Sequence, residues 1–444
     1  MRFNTAATAA TLLLAGTVRA APTSTTHSTS HSTTGTATTS HSRSHSTSTP
    51  HTTSTSIVTP ITTASSPQAP PTTSSSVVLV PTTSTTSLAS TPTTTDACYV
   101  TAFSAVAAAT AACTAITLDS IEIPGNQTLN LSKLKTGTIV TFAGTTMVDF
   151  YEADYDIIKV GGTDITITAE PGAIIDGNGQ AWWDGQGSNG GIEKPDHFFV
   201  ISKLLGNSVV KNLYIQNYPT HCFSISGSAG LIMENIVLNN TAGEAPNDRS
   251  GGLAAAHNTD GFDLSSCNNT IIRDSTVLNQ DDCVAITSGD HITVSNMYCD
   301  GGHGLSIGSV GGKSNNNVTN IIFEDSKILN SQNGARIKSN SNTTGYIANV
   351  TYSNIYVENI SIYGIDIQQD YLNGGPTGDP TDGVIITGVT MTNITGTAES
   401  DAKNYYILCG ADTCSDFTFE DISIVGGTNS SCNVQPVGDF TCSP

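Results

Sequence analysis

Short apolar runs separated by small polar turns dominate the second half of the chain. The segments 208–215 (SVVKNLYI), 231–238 (LIMENIVL), 270–277 (TIIRDSTV), 291–298 (HITVSNMY), 320–327 (NIIFEDSK) and 349–356 (NVTYSNIY) share one form. Each holds an apolar pair, a polar turn and a second alternating stretch. A period of two marks a half-buried strand, and helical periodicity is nearly absent here. The units recur at roughly solenoid spacing, without a fixed repeat length. Strands of this kind also build sandwiches and barrels. The recurring three-strand unit favours an all-β solenoid, a parallel β-helix in which each coil lies on the last. Parallel crossovers are nearly always right-handed, so a right-handed parallel β-helix is expected.

A second strand type follows the first in each coil. Five stretches align: 260–264 (DGFDL), 282–286 (DCVAI), 303–307 (HGLSI), 333–337 (NGARI) and 363–367 (YGIDI). Third and fifth positions are always apolar and are predicted to point inward, leaving the fourth outward. Equivalent positions on stacked strands lie about 4.8 Å apart. Asp260, Asp282 and His303 should therefore form one column on successive coils, with Asp281 entering from beside it. Arg336 and Lys338 are two apart and should both face outward on the next coil.

That patch suits glycosidic cleavage, which needs a proton for the leaving oxygen and a base or nucleophile at the anomeric carbon. Crowded carboxylates supply both roles, because like charges push their pKa values apart. A neighbouring Arg and Lys would bind a sugar carboxylate, the Arg through two parallel hydrogen bonds. Singly, an Asp pair reads as a turn, a His between glycines as a loop residue and Arg-x-Lys as a solvated face. Their shared register is what points to a site.

The earlier part of the chain differs. Residues 1–20 read as a secretion signal: Arg2, then an apolar stretch around Leu12, Leu13 and Leu14, then a small-residue cleavage site near Ala20. This run is too short to span a membrane. Residues 21–95 are mostly Ser and Thr with scattered Pro and five His. Such a composition buries no core and is expected to be a disordered, O-glycosylated extension. The folded domain is placed at 96–444, about 350 residues, ample for a large core. An Ala-rich stretch, Ser104 to Ala112, predicts a short N-terminal capping helix bracketed by Cys98 and Cys113.

All ten cysteines fall in this domain. With a secretion signal they are expected to form disulfides, and the local pairs are Cys98–Cys113, Cys283–Cys299, Cys409–Cys414 and Cys432–Cys442. Cys222 and Cys267 are left either bonded together or as buried thiols. No Cys/His spacing resembles a zinc site. All 37 acidic residues lie after residue 95 against 13 basic ones, a formal charge of −24. That charge excludes nucleic acid and anionic membrane as partners. It also repels an anionic polysaccharide in bulk, which requires a local cationic pocket.

The residues resemble the pectin-degrading polygalacturonases of glycoside hydrolase family 28. Four motifs stand in the family's order: Asn258-Thr259-Asp260, Asp281-Asp282, Gly302-His303-Gly304 and Arg336-Ile337-Lys338. Asp176-Gly177, Trp182-Trp183-Asp184-Gly185, Lys194-Pro195 and Gln368-Gln369-Asp370-Tyr371 are similar too. The resemblance covers about residues 97–444; the Ser/Thr tract lies outside it. It implies Asp281 as general acid and Asp260 with Asp282 as the pair that holds and deprotonates water. It implies that His303 tunes or shares the acid's proton and that Arg336 and Lys338 grip a galacturonate carboxylate. Tyr371 would contact substrate and Asn258 would shape the site. Inversion at the anomeric carbon is implied, with an acid-to-base separation on the order of 6.5–9.5 Å. No metal or cofactor is implied, and a secreted, extracellular monomer acting on polygalacturonate or pectin is expected. The alternatives are exo-action or another pectin-backbone hydrolase, a calcium-dependent lyase, and a non-catalytic wall-binding solenoid. Ten Asn-x-Ser/Thr sequons are present, of which only some are expected to carry glycan, because Asn also stacks in solenoid turns.

Overall fold

The period-two runs become strands that pair in parallel with their equivalents one coil on. The computed structural model describes residues 98–372, 375–428 and 430–442. The secretion signal and the Ser/Thr-rich extension lie outside the described residues. The strands form sheets of 18 and 12 members, the architecture of a parallel β-helix.

In the larger sheet, the long strands Cys267–Asn279, Gly289–Gly301 and Asn317–Leu329 pair along most of their length. Each turns a corner at its middle on a residue of positive φ, namely Asp274 (53°), Asn296 (51°) and Asp325 (52°). Asn and Asp tolerate that left-handed backbone, which β-branched residues do not. Their side chains then tie coil to coil. Asn296 Nδ2 donates to Asp274 Oδ1 (2.7 Å), Asn354 Nδ2 to Asp325 Oδ1 (2.9 Å) and Asn393 Nδ2 to Asn354 Oδ1 (3.0 Å). This is the physical content of the polar turn in these later coils. It also uses up the amide of Asn393, one of the sequon asparagines.

The smaller sheet carries the second strand type. Its members relevant here are β1 (His197–Leu205), β2 (His221–Ser226), β3 (Phe262–Ser265), β4 (Val284–Ile286), β5 (Leu305–Val310), β6 (Asn333–Asn340), β7 (Tyr363–Leu372) and β8 (Lys403–Leu408). Phe262, Val284, Leu305, Ala335 and Ile365 stand in one buried row. Leu264, Ile286, Ile307, Ile337 and Ile367 form a second. Each large aliphatic side chain withdrawn from water contributes about 1.5–3 kcal/mol. A one-residue slip would expose both rows, so the core locks the register and with it the outward positions. Phe199, Phe223 and Phe262 continue the core as a stack, with ring centroids 5.0 and 5.3 Å apart.

At the N-terminal end a 3₁₀ turn, Phe103–Ala105, beginning one residue before the Ala-rich stretch, leads into α1 (Val106–Ala112), which ends where that stretch predicted. Val106 and Ala109 join the hydrophobic core, and the Cys98–Cys113 disulfide closes the segment. Three further disulfides are Cys283–Cys299, Cys409–Cys414 and Cys432–Cys442. Cys222 and Cys267 are buried free thiols, which resolves the alternative left open by their spacing.

Candidate active site

Two residues before the first inward apolar row, the smaller sheet presents a polar column. The parallel register carries it through Asp260, Asp282, His303, Asn333 and Tyr363. The fourth-position row is Asp263, Ala285, Ser306, Arg336 and Asp366. All of these except the fully buried Ser306 and Asp366 line one cleft of about 910 Å³, together with Asn258, Asp281, Lys338 and Tyr371. All eight sequence-selected site residues therefore meet in a single cavity.

Their bonding divides them into three groups. Asp281 Oδ1 lies 2.8 Å from His303 Nδ1 and also accepts from the Asp282 backbone N–H (2.8 Å). Asp281 Oδ2 accepts from Asn258 Nδ2 (3.1 Å). Burial pushes the Asp281 carboxyl upward, yet His303, Lys338 and His221 pull harder and hold it well below the usual carboxylate range. Burial opposes the charge on His303, but Asp281 and Asp282 outweigh it, and its pKa is raised. The pair thus holds its proton on the imidazole.

Asp260 is the opposite case. Burial, with the charges of Asp281 and Asp263, pushes it up to about 8 against the pull of His221. His221 Nδ1 bonds Asp263 Oδ2 at 3.0 Å and lies 3.0 Å from Asp260 Oδ1. His221 and Asp263 were not singled out from the sequence, although the signal existed. Residues 221–225 (HCFSI) follow the same pattern as the five aligned stretches, and Asp263 is the fourth position of the first of them.

The third group is the cationic one. Lys338 Nζ donates to Asp282 Oδ2 (2.8 Å), and Ser306 Oγ donates to Asp282 Oδ1 (2.6 Å). Arg336 Nε donates to Asp366 Oδ2 (3.2 Å), while its Nη1 lies 3.8 Å from Asp282 Oδ1. Tyr371 lies beside both cations, 5.7 Å from Arg336 Cζ and 5.2 Å from Lys338 Nζ. Both cations line the cleft, and each also faces a carboxylate of the protein itself. A partner for Arg336 was visible as the fourth residue of 363–367, but its consequence was not drawn from the pattern. Lys313, bonded to Ser309 O (2.9 Å), adds a third cation to the cleft wall.

A loop steadies the Asp281 side. Asp184 and Lys194 form a buried ion pair (3.1 Å), and Lys194 Nζ also donates to Gly187 O (3.0 Å) and Gly190 O (2.9 Å). Asp184 accepts from the backbone of Gln186 and Ile192. The folded loop delivers Ser188 N and Asn189 Nδ2 to Asn258 Oδ1, at 3.2 and 3.0 Å. With its oxygen so occupied, the Asn258 amide must turn its N–H₂ toward Asp281. Gly187 is required there, because its φ is +54° and a Cβ would meet His257 O at 2.4 Å.

Among the described residues, two groups bring carboxylate and imidazole atoms within 4.8 Å of one another, His221/Asp260/Asp263 and Asp281/Asp282/His303. In each, the imidazole Nδ1 already faces a carboxylate.

The family model for glycosyl hydrolases family 28 matches residues 113–442. A probable endopolygalacturonase D of Emericella nidulans is 54% identical over 342 residues, 77% of this chain and 66% of the relative. The chain thus spans about two thirds of that relative's length. A polygalacturonase of Fusarium fujikuroi is 54% identical over 341 residues, covering 76% of this chain and 91% of the relative. Among solved structures, endopolygalacturonase I from Stereum purpureum, complexed with two galacturonates, is similar with a TM-score of 0.67 and 30% identity. That match covers 78% of this chain and 99% of the other.

Proposed function

The chain belongs to glycosyl hydrolases family 28, and from that premise we propose that it is an endo-polygalacturonase that hydrolyses polygalacturonate by inversion. The observation that carries the proposal is the meeting of Asp260, Asp281 and Asp282 with Arg336 and Lys338 on neighbouring rungs of one cleft. Relatives named endopolygalacturonase support the endo mode.

In this reading Asp281 protonates the glycosidic oxygen. The free site keeps that proton on His303, so the imidazolium is the reservoir and Asp281 the relay along their 2.8 Å contact. Asp282, salt-bridged to Lys338, takes the proton of the attacking water, and Asp260 holds that water from the neighbouring rung. The glycosidic C–O bond breaks as the water oxygen bonds the anomeric carbon. The leaving oxygen gains the His303-derived proton, and Asp282 returns the water's proton to solvent. The Nη edge of Arg336 and the ring of Tyr371 bind the uronate. Asn258 fixes Asp281.

Four disulfides suit an oxidising compartment, and residues 1–20 carry the features of an export signal. The proposal therefore includes secretion, with residues 21–95 as a glycosylated extension.

Polygalacturonate incubated with the protein at mildly acid pH and with a chelator should gain reducing ends and lose viscosity rapidly. No ultraviolet absorbance of an unsaturated sugar should appear. Such absorbance, or activity abolished by the chelator, would select a lyase. Binding without new reducing ends would select a non-catalytic solenoid.

A further inference from the structure

The cleft spends a buried carboxylate on Arg336 in a way the fold does not require. Asp366 is fully buried on β7, in register with Arg336 on β6. Its Oδ2 accepts from Arg336 Nε (3.2 Å) and Gln368 Nε2 (2.9 Å). No donor among the described residues reaches its Oδ1, and the Oε1 of Gln368 beside it is equally unpartnered. A buried, half-satisfied carboxylate is unfavourable for folding. Asn, Val or Ile would fill the same outward position more cheaply, so the group is better explained by its effect on Arg336.

That effect follows from the charges. Arg336 and Lys338 contribute two positive charges to this half of the cleft. Asp282 faces Lys338, and Asp366 faces Arg336. Asp366 engages Nε (3.2 Å), Nη1 lies 3.8 Å from Asp282 Oδ1, beyond hydrogen-bond range, and Arg336 lines the cleft, so the Nη groups can still donate to a ligand but with the guanidinium charge offset. We propose that Asp366 sets substrate specificity through Arg336: its carboxylate competes with the uronate carboxylate, lowering the preference for a charged galacturonate over its neutral methyl ester at that subsite. The proposal rests on the reading of the cleft as a polygalacturonate site.

The competition is tuned by pH. Burial pushes Asp366 up to about 7, even though Arg336 and Lys338 pull it down. The groups facing it are Arg336 and Lys338 on β6, Tyr363, Gln368 and Asp370 on its own strand, Tyr406 on β8 and Tyr352 from the larger sheet. In mild acid Asp366 is protonated and Arg336 regains its full charge. In mild base it is ionised and the uronate preference is weakest.

The test compares the wild type with Asp366→Asn and Asp366→Val, using trigalacturonate and its methyl ester at pH 5 and pH 8. Kd is read by calorimetry and KM by reducing ends. At pH 8 both variants should bind trigalacturonate roughly tenfold tighter than wild type, as expected for losing one nearby opposing charge. The ester should change less than twofold, and the gap should close at pH 5. A merely structural role would weaken both ligands alike. Unchanged or weaker trigalacturonate binding at pH 8 in either variant, shown to be folded by a cooperative melt, would overturn the proposal. Turnover of polygalacturonate by the wild type reports separately on the functional reading, while the calorimetric comparison still decides the charge effect if turnover is absent.

Discussion

At the scale of single residues, the site works by unequal burial of similar groups. Asp281 has two amide donors and an imidazolium beside it, and its charge is held. Asp260 and Asp366 are buried with less compensation and are pushed up to about 8 and about 7. This fixes how stability depends on pH. An unfolded Asp titrates near about 3.9. Between that value and the raised folded ones, the native state binds protons that the unfolded chain has released, so stability falls as pH rises through about 4 to 8. His221, raised by Asp260 and Asp263 against the effect of burial, acts in the same direction, because its pairing is lost as pH rises through its folded pKa. Asp281 acts oppositely, but only below the usual carboxylate range. Thermal melts should therefore give a Tm several degrees higher at pH 5 than at pH 8. A higher Tm at pH 8 would mean that Asp260 and Asp366 are not buried as described.

At the scale of elements, the repeat unit was largely legible because one physical rule governs it. Apolar third and fifth positions must face the core, so five aligned pentads sufficed to predict the column of Asp260, Asp282 and His303. What that rule could not supply was bonding across the column. Lys338 reaches back past β5 to Asp282 just before β4, and no local pattern encodes a contact 56 residues apart. The loop 184–194 was visible only as motifs. Its mechanical role emerges from the Asp184–Lys194 pair, which shapes the loop that turns the Asn258 amide onto Asp281. Replacing Lys194 by Met should lower kcat about 10–100-fold with KM little changed, since small misplacements of a catalytic group cost that much. Lys194→Arg should recover part of the loss. A folded Lys194→Met protein with wild-type kcat would remove the loop from the positioning of Asp281.

At the scale of the whole molecule, stacking solves a problem posed by the charge. A domain with a formal charge of −24 must bind an anionic polymer. Register gathers Arg336, Lys338 and Lys313 into one groove. The same register brings Asp260, Asp281 and Asp282 together on adjacent coils, where the proposed mechanism places the acid and the water-binding pair. Composition alone revealed the conflict between protein and substrate charge, and the pentad alignment indicated where it is resolved. The internal carboxylates that offset the clamp became evident only in three dimensions. The account depends most on Asp281 passing a proton to the leaving oxygen. The most direct measurement is the turnover and binding of Asp281→Asn on oligogalacturonate. We predict a fall in kcat of roughly 10³-fold or more, with Kd within about threefold of wild type and an unchanged melting profile. Turnover within tenfold of wild type would contradict the assignment of Asp281 and the proton path built on it.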